Sequence, residues 1–169
     1  MTNHIALFEP LMPANTGNIA RTCVGTNTVL HLIRPLGFSL DNKHMKRAGL
    51  DYWDKLQLVI HDDLADFLSS IPDLQQLYLV SKFSDKIYSD IDYSDTKKDY
   101  YFLFGKETTG LPEQFMRENQ DKCLRIPMSN NIRALNLSNS CALVIYEAVR
   151  QQHFEGLELT HRYEHDKLH

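Results

Sequence analysis

Apolar residues in this chain come in short, nearly unbroken runs: His4–Phe8, Val29–Ile33, Leu56–Ile60, Gln76–Ser81, Tyr100–Phe104 and Cys123–Ile126. A strand covered on both faces loses the in/out alternation of a half-exposed one, so such runs predict buried strands. Between them the spacing turns helical. Ile19, Ala20, Cys23 and Val24 share a face behind Asn15 or Thr16, either of which suits a helix N-cap. Asp62 or Asp63 is placed to cap a helix reaching Ser69, and shorter helices are expected from Asp41 or Asn42 to Gly49 and after Leu111-Pro112. Strands alternating with helices predict an α/β fold: a mainly parallel sheet with helices on both faces.

The last helix, starting near Leu135 to Leu137, carries two apolar sides. Leu137, Cys141, Val144, Ile145, Ala148 and Val149 form the stripe expected to face the sheet. Ala142, Leu143 and Tyr146 form a second patch, which is either further core or a surface covered by a second subunit. Residues 1–156 are expected to form one domain, followed by a polar tail over 157–169.

Composition narrows the class. With 43% hydrophobic and 24% charged residues, the 169-residue chain is an ordinary globular protein, not a disordered or fibrous one. It has no apolar run near the roughly 20 residues needed to span a bilayer. Its start resembles no secretory signal, so a cytoplasmic location and no membrane partner are expected. The net charge of -4 opposes nucleic-acid binding by bulk electrostatics, so such a role needs a local basic surface. Lys43-His44-Met45-Lys46-Arg47 is the candidate, while acids gather over Ser84–Asp95. Cys23, Cys123 and Cys141 are scattered without a CxxC pair, which argues against a disulfide framework or zinc. His161 and His165 have helical metal-pair spacing but lack further ligands, and the remaining histidines look isolated and structural; no metal is expected.

Candidate chemistry centres on Arg125–Ser140. Pro127 stops a strand there, a polar turn follows, and a long helix begins. In α/β proteins ligands collect at such strand-to-helix junctions. Gly105-Lys106-Glu107-Thr108-Thr109-Gly110 ends the fifth strand but fails the Walker pattern, because Leu111-Pro112 replaces the lysine and hydroxyl residue. Neither a GxGxxG nor a GxSxG follows any strand, which removes dinucleotide binding and serine hydrolysis. Arg21, beside Asn15 and Asn18, and Arg133, beside Asn136 and Asn139, are both expected at the carboxyl edge of the sheet.

Three ordered blocks then carry a resemblance: Asn15-x-Gly17-x-x-x-Arg21, Phe104-Gly105-x-Glu107-x-x-Gly110-Leu111, and Ile126-Pro127-Met128 leading to Asn136-Leu137-Ser138-Asn139. Phe8-Glu9-Pro10, Pro35-Leu36-Gly37-Phe38 and Arg47-Ala48-Gly49-Leu50-Asp51-Tyr52 extend it over residues 4 to about 156. The chain resembles the SPOUT-class RNA 2'-O-ribose methyltransferases, especially the minimal single-domain enzymes that modify the tRNA wobble nucleotide. The resemblance implies a C-terminal trefoil knot, a homodimer and S-adenosyl-L-methionine as cofactor. It implies a cofactor pocket of Val80, Gly105, Ile126, Met128, Ala134 and Leu135. Arg21, Glu107 and Asn136 become the catalytic candidates, with Ser138 and Asn139 supporting the helix start. Asn15, Asn18, Lys43, Lys46, Arg47 and Arg133 become the candidates for binding tRNA. Many relatives carry serine where this chain has Ala134, so only backbone contact with the cofactor is available there. The expected activity is 2'-O-methylation of nucleotide 34, cytidine or modified uridine, in leucine tRNAs. The rival expectations are a non-catalytic RNA-binding or assembly module on this fold, and a ribosomal RNA 2'-O-methyltransferase.

Overall fold

The computed structural model describes residues 1–41 and 51–168. The helix expected up to Gly49 and the basic segment Lys43–Arg47 therefore lie outside the described residues. Six strands, β1 (Asn3–Phe8), β2 (Val29–Ile33), β3 (Leu58–His61), β4 (Leu77–Val80), β5 (Tyr100–Phe104) and β6 (Cys123–Leu124), form one sheet in the order β3-β2-β1-β5-β4-β6. Every pairing is parallel. Among the described residues the α-helices are α1 (Pro13–Gly25), α2 (Leu64–Ser69), α3 (Glu113–Glu118) and α4 (Leu137–Gln151).

The unbroken apolar runs are explained by a core on each side of the sheet. Ile5, Leu7, Leu30, Leu32, Phe102, Phe104 and Leu124 point one way, onto Ile19, Ala20 and Cys23 of α1 and Cys141, Val144, Ile145 and Ala148 of α4. Their neighbours Ala6, Phe8, Ile33, Leu77, Leu79, Tyr101 and Leu103 point the other way, onto Phe67, Ile71 and Leu111. Each fully buried Leu, Ile or Phe contributes roughly 1.5–3 kcal/mol. Of the second patch on α4, Leu143 and Tyr146 stay 43% and 48% exposed, so those two side chains are not core of this chain.

Strand β6 is shorter than the expected run to Ile126, because its outer neighbour is no full strand. Arg125 bridges Ile87 of the segment that follows β4, with Tyr88 N–H donating to Arg125 O (3.0 Å) and Arg125 N–H to Lys86 O (2.7 Å). That segment is pinned by Tyr93, fully buried edge-on to Tyr78, Tyr100 and Phe102, with its hydroxyl on Tyr88 O (2.6 Å). It also grips the end of α4: Gln151 bonds Tyr93 N–H and Ile91 O, and Gln152 donates to Tyr93 O.

Two expectations need correction. Helix α1 starts at Pro13 rather than after Asn15 or Thr16, and Met12 at its N-cap makes no side-chain cap. Proline suits the first helical position, where its missing N–H has no partner to lose. The histidines are also not isolated. His4 Nδ1 lies 2.9 Å from His31 Nε2, His31 Nδ1 lies 2.9 Å from His61 Nε2, and His61 Nδ1 lies 3.3 Å from Asp66. Register Ala6↔His31 and Ile33↔His61 steps the row diagonally across three parallel strands on one face. Burial lowers His4 to about 4 and His31 to about 3, with the neighbouring histidines adding to the effect on His31. Among the described residues no helix is long and apolar enough to cross a membrane, and no cluster of His, Cys, Asp or Glu could hold a metal.

Candidate active site

At the carboxyl ends of β4, β5 and β6 the following loops part around a cleft of about 510 Å³. Val80 ends β4, Phe104 ends β5 with Gly105 next in the chain, and Ile126 follows β6. Met128, Ala134 and Leu135, from the turn that leads to α4, form the facing wall. All six residues expected around a cofactor thus line one cavity. Val80, Ile126, Met128, Ala134 and Leu135 give these walls apolar side chains, which suits an aromatic base held there by backbone donors and acceptors, while Lys82, Lys106, Glu107, Thr108 and Thr109 make other parts of the lining polar.

The loop after β5 owes its shape to glycine at two points. A Cβ on Gly105 would sit 2.2–2.4 Å from the backbone of Gly110 and Leu111, so only glycine permits that approach. Gly110 takes φ +72, a region glycine enters without penalty, and its N–H closes the loop onto Lys106 O (3.0 Å). Lys106 pairs with Glu9, tying the loop to the end of β1.

Glu107 turns towards the start of α1. Its carboxylate accepts from Leu11 N–H (2.9 Å), Met12 N–H (3.1 Å) and Asn15 Nδ2 (3.3 Å). It therefore fixes the two residues that lead into α1 and the side chain of Asn15, without accepting from the helix's own first-turn N–H groups. Partial burial pushes its carboxyl upward, but the donors from Leu11, its own backbone, Met12 and Asn15 outweigh this and hold it below the usual range. A carboxylate so occupied is a poor proton acceptor at neutral pH.

Asn136 completes the connection. Its Nδ2 donates to Asn15 Oδ1 (3.1 Å), while its Oδ1 accepts from Ser138 N–H (2.9 Å), Ser138 Oγ (2.6 Å) and Asn139 N–H (3.3 Å). Asn136 is the N-cap of α4, a role its side-chain oxygen suits. The three sequence blocks, more than ninety residues apart at their widest steps, meet in one network at the cleft.

The candidates for binding tRNA divide. Asn15 lines the cleft, but it is 6% exposed and its amide is engaged by Glu107 and Asn136. Asn18, Arg21 and Arg133 are exposed and do not line the cleft. For Arg21 the reason is helical geometry: six residues past Asn15, it lies about 9 Å further along α1 and on another face. Its guanidinium sits 4.9 Å above the ring of Tyr52, whose hydroxyl donates to Gly17 O (2.8 Å). Tyr52 is a contact the sequence reading missed, although Asp51-Tyr52 closed one of the matching blocks. Lys43, Lys46 and Arg47 lie outside the described residues.

The arrangement matches a known family. The model of the SpoU rRNA Methylase family covers residues 2–146. The chain belongs to that family. A Lactobacillus gasseri protein provisionally named RNA (cytidine(34)-2'-O)-methyltransferase is 66% identical over 99% of this chain and 91% of its own length. A Lactococcus lactis subsp. cremoris protein, provisionally named tRNA (cytidine(34)-2'-O)-methyltransferase, is 65% identical over 98% of this chain and 99% of its own. A solved structure described as giving insights into 2-OH methylation of C/U34 on tRNA aligns with a TM-score of 0.79 and 39% identity. That alignment covers 89% of this chain and 90% of the other. Within the SPOUT class these likenesses place the chain with the minimal TrmL-like methyltransferases, the branch its motifs resembled.

Proposed function

We propose that this chain is an S-adenosyl-L-methionine-dependent tRNA 2'-O-ribose methyltransferase acting on the wobble nucleotide 34 of leucine tRNAs. The observation that carries the reading is the Glu107–Asn15–Asn136 network beside the cleft, which unites the three family blocks around one cavity. The apolar wall of Val80, Ile126 and Leu135 fits the adenine of the cofactor, and Ala134 adds no side-chain polar contact. When bound, the cofactor supplies an electrophilic sulfonium methyl group.

The chain's own residues then have to position a ribose hydroxyl and help it lose its proton. Glu107 and Asn136 act by fixing the loops that form the cleft. Arg21 is the leading catalytic candidate, but a guanidinium is already protonated and cannot abstract a proton. It is better suited to hold a phosphate next to the target ribose and favour the developing alkoxide. Because Arg21 is off the wall of its own cleft, the reading includes a homodimer in which a second copy completes the RNA site. The half-exposed Leu143 and Tyr146 of α4 supply apolar surface for that contact. Arg133, Asn18 and the Lys43–Arg47 segment are proposed to touch tRNA, and the whole activity is placed in the cytoplasm.

The C-terminal trefoil knot belongs to the same proposal. It is supported by β6 lying between β4 and Ile87, and by Gln151 and Gln152 of α4 being held by the segment that precedes β5. The reading is tested by deleting the gene and digesting the tRNA for mass spectrometry. Loss of the 2'-O-methyl at position 34 of leucine tRNAs is expected, and an unchanged tRNA profile would reject the substrate assignment.

A further inference from the structure

Phe83 is 75% exposed, more than any other large apolar side chain among the described residues before residue 157. It is not on a loose loop. Its N–H donates to Ser81 Oγ (3.2 Å), Ser81 N–H donates to Leu124 O (2.8 Å), and the Arg125 guanidinium donates to Lys82 O. The ring stands on the rim between the methyl-donor cleft and a second cleft of about 780 Å³, which share Ser81, Leu111 and Met116 as walls.

The charges around it are unusual for this acidic chain. Lys82 Nζ lies 5.2 Å from the centre of the ring. Lys86 Nζ donates to the carbonyl of Asp121 (2.7 Å), and Arg125 uses the carbonyl of Lys82. Among the described residues none of the three is in an ion pair, whereas Lys106, Arg117, Arg34 and Arg150 all are. Opposing them, Glu113 of the second cleft is paired with Arg117, which leaves Asp85 there and Asp121 nearby.

A rigidly presented aromatic face beside Lys82, with Lys86 and Arg125 bonded to neutral carbonyls, suits a ligand that brings both bases and phosphates. We propose that Phe83 stacks a nucleobase of the RNA substrate beside the methylated nucleotide, with Lys82, Lys86 and Arg125 facing the adjoining phosphates. The inference rests on the RNA-methyltransferase reading and adds to it a position that sets substrate binding.

The test compares Phe83→Ala and Phe83→Trp in otherwise intact protein, with a Trp53→Phe background for fluorescence. Phe83→Ala is expected to raise KM for tRNA by about tenfold or more, with S-adenosylhomocysteine affinity unchanged by calorimetry. Phe83→Trp should keep the wild-type KM and show emission quenched by tRNA, as stacking requires. An unchanged KM and unquenched emission in protein that still methylates tRNA would overturn this inference alone. Loss of S-adenosylhomocysteine affinity would assign the ring to the cofactor cleft, and loss of the dimer at unchanged KM would assign it to a second copy; either overturns it. Wild-type protein that binds no tRNA would overturn both this inference and the reading beneath it.

Discussion

Asn136 Nδ2 donates to Asn15 Oδ1 at 3.1 Å across a sequence separation of 121 residues, joining the start of α4 to the start of α1. Both side chains are otherwise committed, Asn136 as the cap of α4 and Asn15 as a donor to Glu107. Asn136→Ala should therefore cost about 1–3 kcal/mol, combining the lost cap with the lost donor to Asn15 Oδ1. Asn15→Ala should cost a similar amount, and the double variant less than the sum, since both remove one shared bond. Urea unfolding of the four proteins measures this; strict additivity would show that the two residues act independently.

Gly105→Ala tests the loop after β5. The new Cβ meets backbone atoms at 2.2–2.4 Å, which no side-chain rotation can relieve. The variant is expected to lose at least about 1–3 kcal/mol of stability and most of its S-adenosylhomocysteine affinity. Calorimetry alongside thermal unfolding checks both, and wild-type affinity in the variant would mean that the cleft tolerates a displaced loop.

The histidine row gives the protein an acid limb. Folded values of about 4 for His4 and about 3 for His31 lie below the ordinary 6.5, so the unfolded chain binds more protons between those limits. Stability contributed by the neutral row is complete above pH 6.5 and is lost as pH falls towards 4 and below. His4 Nε2 is buried without a partner and the ring stacks on Tyr101 at 4.0 Å, so His4→Phe should keep the packing and flatten the decline. Urea midpoints measured from pH 4 to 8 would show it; an unaltered slope would place the acid sensitivity elsewhere.

Arg21 is tested by mixing. Arg21→Ala should keep its fold and cofactor affinity and lose about 10²–10³ in kcat, if the guanidinium stabilises developing charge. Leu135→Trp should fill the cleft and abolish cofactor binding. If a second copy completes each site, mixing the two inactive proteins should restore about a quarter of the wild-type activity through mixed dimers. No restoration after subunit exchange would mean that Arg21 serves the cleft of its own chain.

The sequence made some of this legible and hid the rest for identifiable reasons. The strands could be read because Tyr100–Phe104 and Val29–Ile33 are buried on both faces and so carry continuous apolar runs. Asn136 was named for its motif and not as a cap, although that role is local, satisfied by N–H groups two and three residues away. Asn15 misled because it also looks like a cap; its real partners, Glu107 and Asn136, are 92 and 121 residues distant. The histidine row escaped notice in the same way, since spacings of 27 and 30 residues become neighbours only through strand register. Strand β6 was read too long because Ile126 carries the apolar pattern on past Arg125, after the ladder with β4 has ended at Leu124.

The most direct measurement is methyl transfer to a defined nucleotide. Purified protein, labelled S-adenosyl-L-methionine and undermodified leucine tRNA should give one labelled 2'-O-methylribose, at position 34, and none when that nucleotide carries a 2'-deoxyribose. Label at another position, or label on the deoxy substrate, would contradict the assignment. Absence of any transfer from protein that binds S-adenosylhomocysteine would contradict the wobble-position activity itself.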